Sequence, residues 1–202
     1  MTSDTGNRVD NSEEATLLAQ ARQGDRMAQQ ALVNRHQDDV FYLALGLTGQ
    51  RSDAEDVMQE VMIKALKGLK KFRGQSGFAT WLYRITHNTC LDWHRRQRRH
   101  RSTESLDDNP MLIDSLETDL TTEHPERNSS NQELGQDLLA ALQQLSPSER
   151  GVFVMRHFQQ LSTRETAVAL GKAEGSVKAL LFRAVHKLRQ HLTAHQPEGQ
   201  TP

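Results

Sequence analysis

The sequence predicts an all-α protein of two small helical domains joined by a flexible acidic linker. Three observations carry that expectation. Apolar residues recur at helical spacing through residues 13–101 and again through 131–195. Residues 102–130 lose that period, are rich in Asp, Glu, Ser, Thr and Asn, and hold Pro110 and Pro125. Charge comes in blocks: residues 64–101 carry eleven Lys and Arg against one acid, and residues 102–137 carry ten acids against one Arg, although the whole chain nets only −1. The polar ends, 1–12 and 196–202, read as frayed tails.

The totals narrow the function classes. A chain of 202 residues suffices for one medium domain or two small ones. A mean hydropathy of −0.70, no run of membrane-spanning length and no apolar secretory segment at the start point to a cytoplasmic protein without membrane insertion. The single cysteine, Cys90, excludes an internal disulfide framework and a Cys-rich zinc site. It sits inside an aromatic helix, where a buried small hydrophobe is the default reading. Opposite charge blocks in a near-neutral chain imply separate surfaces for separate partners.

Helical periodicity starts near Glu13 and stops at Gly24. Asp25 is placed to cap a second helix carrying Leu32, Val40, Phe41, Leu43, Leu45 and Leu47 before Gly49. Ser52 and Glu55 read as a capping box opening a third helix, D-A-E-D-V-M-Q-E-V-M-I-K-A-L-K-G-L. Its acids come first and its lysines last, as the helix dipole favours. Residues 71–77, K-F-R-G-Q-S-G, form a short connection in which Ser76 is placed to cap the next helix. Such a loop beside an aromatic face suits either an unstacked base or a plain helix–helix turn.

The next stretch, residues 78–101, has an aromatic half with Phe78, Trp81, Leu82 and Ile85, then a basic half with Arg95, Arg96, Arg98, Arg99 and Arg101. Arginines pair with phosphates, aromatics offer stacking surfaces, and Asn88 and Asp92 lie one turn apart between the halves. A basic run alone is as often a solvated helix end; the aromatic face before it favours nucleic acid. Beyond the linker, where Met111, Leu112, Ile113 and Leu116 form a small apolar patch, a helix begins around Asn131. Ser146-Pro147-Ser148-Glu149 is a strong helix start, and Ser162 with Glu165 is another. Gly171 ends a short helix, and a longer amphipathic one runs from about Glu174 to Leu192. Short helix, glycine turn, longer helix is the layout of a helix-turn-helix, with Ser176, Lys178, Ala179, Phe182 and Arg183 on the exposed face.

This order of parts resembles the extracytoplasmic-function sigma factors, bacterial transcription-initiation subunits with only sigma domains two and four. D-A-E-D-V-M-Q-E at 53–60 is similar to the family's polymerase-clamp-binding helix. F-R-G-Q-S-G-F-A-T-W-L-Y-R-I-T-H-N at 72–88 is similar to its promoter-melting loop and recognition helix, and L-S-T-R-E-T-A-V-A-L-G with G-S-V-K-A-L-L-F-R-A resembles its helix-turn-helix. The resemblance implies domain two at 13–101, the linker at 102–130 and domain four at 131–195. It implies that Asp53, Asp56, Gln59 and Glu60 face the clamp helices of the largest polymerase subunit, with the flap of the second-largest as a further contact. Phe72, Arg73, Gln75, Ser76 and Phe78 would shape a pocket for a flipped minus-ten base. Asn88, Asp92, Arg95 and Arg96 would contact that element and its backbone, while Ser176, Lys178, Phe182 and Arg183 would meet the minus-thirty-five element. Promoter DNA, core RNA polymerase and an anti-sigma factor are the implied partners. No cofactor, metal or catalytic residue is implied.

Three departures from the pattern stand out: Ala173 in place of a capping Ser, Ala179 and Leu180 in place of common Ser and Arg, and Met58 for a usual aliphatic. Two other classes compete. A stand-alone helix-turn-helix regulator accounts for residues 146–192 but not for an acidic helix beside an aromatic–basic one. An enzyme would have to use Cys90 with His87 or His94, without an oxyanion loop or partner acid. His191 and His195 lie one turn apart but have no third ligand.

Overall fold

Helix α2 (Arg26–Thr48) is the axis on which the molecule is built. In the computed structural model, backbone is described for residues 4–104 and 129–194, and side chains for 13–99, 135 and 137–191. The predicted linker therefore lies mostly outside the described residues, as do its apolar patch and His195. Among the described residues there are eight α-helices and no strand: α1 (Asp4–Arg22), α2, α3 (Arg51–Gly68), α4 (Phe78–Glu104), α5 (Ser129–Gln143), α6 (Pro147–His157), α7 (Thr163–Leu170) and α8 (Glu174–Ala194). A single 3-10 turn, Leu69–Lys71, follows α3. The all-α expectation holds.

Most helix boundaries follow from local signals. Asp25 caps α2 by accepting from the amides of Met27 at 2.8 Å and Ala28 at 3.2 Å. Gly49 ends it in the left-handed region, φ 87°, which a residue with a Cβ reaches only at a cost. Ser146 with Glu149 and Ser162 with Glu165 form complete capping boxes, and Pro147 stands at the first position of α6. Two caps differ from expectation. Helix α3 opens one residue before Ser52, and Glu55 turns to Arg51 at 2.9 Å rather than back to a serine amide. Helix α4 opens at Phe78, so Gly77 and not Ser76 occupies the cap position. Helix α1 starts at Asp4, nine residues ahead of the Glu13 start.

Helices α1 to α4 pack around α2, and α5 to α8 form the helix-turn-helix unit. The two units also pack on each other, α2 against α5 and α6, and α4 against α7. One continuous apolar core therefore runs from Leu32, Val40, Val57, Val61 and Leu82 into Leu142, Val154, Met155 and Leu188. This explains why the end of α2 is apolar all round: Leu43 through Thr48 are buried on every side. A smaller core of Val152, Ala167, Val177 and Leu180 holds the helix-turn-helix together.

Candidate polymerase and DNA interfaces

Helix α3 buries Ala54, Val57, Val61 and Ala65 and so must turn the residues between them outward. Asp56 and Gln59 are exposed or nearly so, and Asp53 and Glu60 are half-buried. Burial first, and the neighbouring Asp56 charge second, raise the Asp53 carboxyl above the ordinary range. Glu60 moves the other way: a hydrogen bond from Lys64 lowers it most, against the opposing effect of burial, with Arg96 helping. The geometry is a bridge. Lys64 Nζ lies 2.7 Å from one Glu60 oxygen, and Arg96 Nη2 donates to the other at 2.9 Å. Lys64 also donates to the Thr89 hydroxyl at 3.1 Å. The acidic face of α3 and the basic face of α4 are thus adjacent, joined by an ion pair between residues 36 apart in sequence.

Along α4, Asn88, Asp92, Arg95 and Arg96 are all exposed, and Arg95 donates to Asp92 at 3.1 Å. They share the side of the helix opposite buried Thr86, His87 and Cys90. The loop before α4 behaves differently from its sequence. Arg73 and Gln75 are exposed and Ser76 is half-buried, but Phe72 and Phe78 are only 8% and 6% exposed. Their rings meet edge-on at 5.7 Å between centroids; Trp81 packs on both, and His36 packs on Phe78. These aromatics support the loop from below. The loop itself presents Arg73, Gly74 and Gln75 outward.

In α8 the inward face is Val177, Leu180, Ala184 and Leu188. Ser176, Lys178, Phe182 and Arg183 all project outward, with Phe182 74% exposed. Leu180 belongs to the core of the unit, so the departure there removes no outward polar group; only Ala179 changes the exposed face. Arg183 leans back toward Glu149 at 3.5 Å, and Lys187 meets the same carboxylate at 2.8 Å. Burial alone would raise the Glu149 carboxyl; hydrogen bonds from Lys187 and Ser146 outweigh it and hold the group at about 2. Sequence identified Glu149 as a capping-box residue but not as the anchor for α8, because its partner lies 38 residues away.

His87, Cys90 and His94, the residues an enzyme would have to use, line the junction of the two units with Leu47, Pro147 and Arg150. Cys90 is 2% exposed, and burial pushes its thiol up to about 12, far from a usable thiolate. His87 is buried, and desolvation lowers it to about 4, with a hydrogen bond to Asn88 opposing and the Lys172 charge assisting. Among the described residues, no group of three or more His, Cys, Asp or Glu is gathered as metal ligands, and no helix is long and apolar enough to cross a membrane.

The same two units recur in known proteins. The family model for Sigma-70 region 2 matches residues 32–100, and that for Sigma-70, region 4 matches residues 135–188. The chain is 32% identical over 167 residues to the RNA polymerase sigma factor YlaC of Bacillus subtilis, covering 83% of this chain and 93% of that one. This chain belongs to the extracytoplasmic-function sigma factors. Another member, SigM of Mycobacterium tuberculosis, is 33% identical over 190 residues, 93% of this chain and 88% of SigM. The structure of CnrH in complex with the cytosolic domain of CnrY aligns with a TM-score of 0.67 at 25% identity, covering 91% of this sigma factor and 99% of CnrH. The sigma factor RpoE of Bartonella quintana, solved with the anti-sigma factor NepR, shares the fold at a TM-score of 0.64 and 20% identity over 83% of this chain and 98% of that one. The region 2 match contains α3 and most of α4, and the region 4 match contains the helix-turn-helix, so every sequence-predicted contact residue lies within a matched segment.

Proposed function

We propose that this sigma factor binds core RNA polymerase and directs promoter-specific transcription initiation, including melting of the minus-ten element. The observation that carries this reading is the side-by-side placement of an acidic and a basic helix face, joined by Glu60 and Arg96, in a chain that also has an outward-facing recognition helix. A stand-alone regulator needs only α7 and α8 and leaves the α3–α4 pair without a purpose. In the proposed division of labour, Asp53, Asp56, Gln59 and Glu60 meet the polymerase clamp. Arg95 and Arg96 hold backbone phosphates, and Asn88 and Asp92 contact exposed base edges. Arg73, Gln75 and Ser76 line the place of a flipped base, with Phe72 and Phe78 shaping it from beneath. Ser176, Lys178, Phe182 and Arg183 approach the major groove at the minus-thirty-five element.

The role is positional and not enzymatic. Tighter binding to opened than to duplex DNA shifts the promoter toward melting, because a ligand moves an equilibrium by its difference in affinity for the two states. Two modest DNA contacts on one chain add through effective concentration. The solved sigma factor bound to NepR supports an anti-sigma partner for this chain as well. Its working place is the cytoplasm, where polymerase and promoter are. Charge reversal at Asp56 and Glu60 tests the assignment: binding to purified core polymerase should fall at least tenfold, whereas Arg73→Ala should impair open-complex formation more than core binding. Tight, sequence-specific binding of promoter duplex by the chain alone would favour the stand-alone regulator.

A further inference from the structure

The end of α2, the start of α3, the basic half of α4 and the end of α5 enclose a cavity of about 350 Å³, within the range that small-molecule sites occupy. Its back is fixed by backbone carbonyls of α2. His94 Nε2 donates to Leu47 O at 3.2 Å, and Thr48 Oγ1 donates to Ala44 O at 2.9 Å. The half-buried Trp93 ring meets His94 edge-on at 4.9 Å between centroids, so the indole wall is braced through the same contact.

The polar lining has chemistry that the fold does not consume. Asp53 is the one carboxylate of the cavity wall. Its neighbours on α3 have cations: Glu55 meets Arg51 at 2.9 Å, and Glu60 meets Lys64 at 2.7 Å and Arg96 at 2.9 Å. Asp53 is half-buried and, among the described residues, makes no hydrogen bond or ion pair. The amides of Gln50 and Gln97 line the same space, and the exposed Arg98 guanidinium stands at its rim.

This set of groups matches one kind of ligand. An indole face stacks on a nucleobase. An ionised carboxylate only accepts hydrogen bonds, and guanine offers it two adjacent donors, N1–H and the 2-amino group. Guanine O6 and N7 accept, as side-chain amides require. A guanidinium binds phosphate. By helical spacing, Trp93, His94, Gln97 and Arg98 centre on the side of α4 opposite Asn88, Asp92, Arg95 and Arg96, so the cavity does not open onto the proposed DNA face. We propose that this cavity binds a free guanine nucleotide, with the base against Trp93, its N1–H and 2-amino edge on Asp53, and its phosphate on Arg98. Asp53 is also a proposed clamp contact, so the nucleotide and core polymerase compete for one carboxylate. That consequence rests on the proposed function; nucleotide binding does not.

Calorimetric titration of the full-length protein tests the assignment. GMP should bind with a Kd below about 100 µM, and AMP at least tenfold more weakly. Asp53→Asn should weaken GMP at least tenfold and make XMP the preferred ligand, because the new amide donates to the C2 carbonyl of xanthine. A variant that had only lost structure would gain no ligand. Arg98→Ala should weaken GMP several-fold and leave guanosine unchanged. GMP should also raise the concentration of unsubstituted chain needed for half-maximal binding to core polymerase. No binding of GMP at about 1 mM, equal affinity for AMP, or an Asp53→Asn protein without the gain of XMP would overturn the proposal. So would tighter binding of a guanine-containing single-stranded oligonucleotide than of GMP, which would assign the cavity to DNA. GMP binding without competition would uphold the cavity and remove Asp53 from the clamp contact.

Discussion

The aromatic residues of the two proposed DNA-binding surfaces point in opposite directions. In the region 2 unit, Phe72 and Phe78 are buried and join Trp81 and His36 in a cluster beneath the loop. In the helix-turn-helix, Phe182 stands 74% exposed on the outer face of α8. The first surface is shaped from within, so its outer chemistry belongs to arginine, glutamine and backbone. The second carries its apolar group on the outside, where the proposed major-groove contact would meet thymine methyls and base edges. A phenylalanine in a motif does not announce which arrangement it serves.

The largest effect that separates the two surfaces comes from Phe78→Ala. Loss of a buried phenylalanine costs about 3–5 kcal/mol, so the variant should melt far earlier and lose core binding and open-complex formation together. A normal melting temperature with a selective defect in promoter opening would place Phe78 at the DNA instead.

Acid should strain the packing between the two units next. His87 faces Gly151 from the other unit, is lowered to about 4, and its Nε2 has no hydrogen-bond partner. The unfolded imidazole, near about 6.5, binds a proton that the native one refuses, so stability is complete above about pH 6.5 and lost as pH falls toward 4. The full loss is on the order of 3 kcal/mol. His94 is lowered by burial in the same direction. Glu149, whose stabilisation is lost only below about 4.5 as the pH falls toward 2, is silent in the upper part of that window. Denaturant titrations at about pH 7 and about pH 5 should therefore show the fall, and His87→Gln should reduce it.

Phe182→Ala should leave stability within about 0.5 kcal/mol, as exposed substitutions do. It should weaken minus-thirty-five binding by about tenfold, within the ~1–3 kcal/mol range of a base contact. The smallest effect belongs to Glu60→Gln. Its partners Arg96 and Lys64 are 46% and 41% exposed, and ion pairs that open to water contribute less than about 1 kcal/mol. Melting should barely move, while core polymerase binding falls measurably; an equal change in both would make Glu60 a structural residue.

Much of this molecule is legible in its sequence where the signal is local. Capping boxes at Ser146 and Ser162, the Asp25 cap and the Gly49 and Gly171 stops all stand where the residues put them, because each depends on atoms within about one helical turn. Ser52 and Ser76 carry the same kind of signal and are not caps: α3 begins at Arg51, where Glu55 has a basic partner, and α4 begins one residue after Gly77. The outward residues of α8 also follow from periodicity. Contact across long sequence separation could not be read. Glu60 with Arg96, Glu149 with Lys187, and Arg150 with the Leu47 carbonyl join segments 36, 38 and 103 residues apart. The composition suggests two units on a flexible tether, whereas α2 ends inside a core shared by both. Its only trace is the all-round apolar run that ends α2, a pattern that marks a helix covered on every side.

The most direct test of the central claim is run-off transcription with purified core RNA polymerase on a library of genomic fragments, with and without this protein. New discrete start sites sharing two spaced upstream elements are expected, reduced by Arg96→Ala in proportion to its loss of minus-ten contact. Unchanged transcription, with the chain alone binding duplex DNA tightly and specifically, would contradict the sigma-factor role.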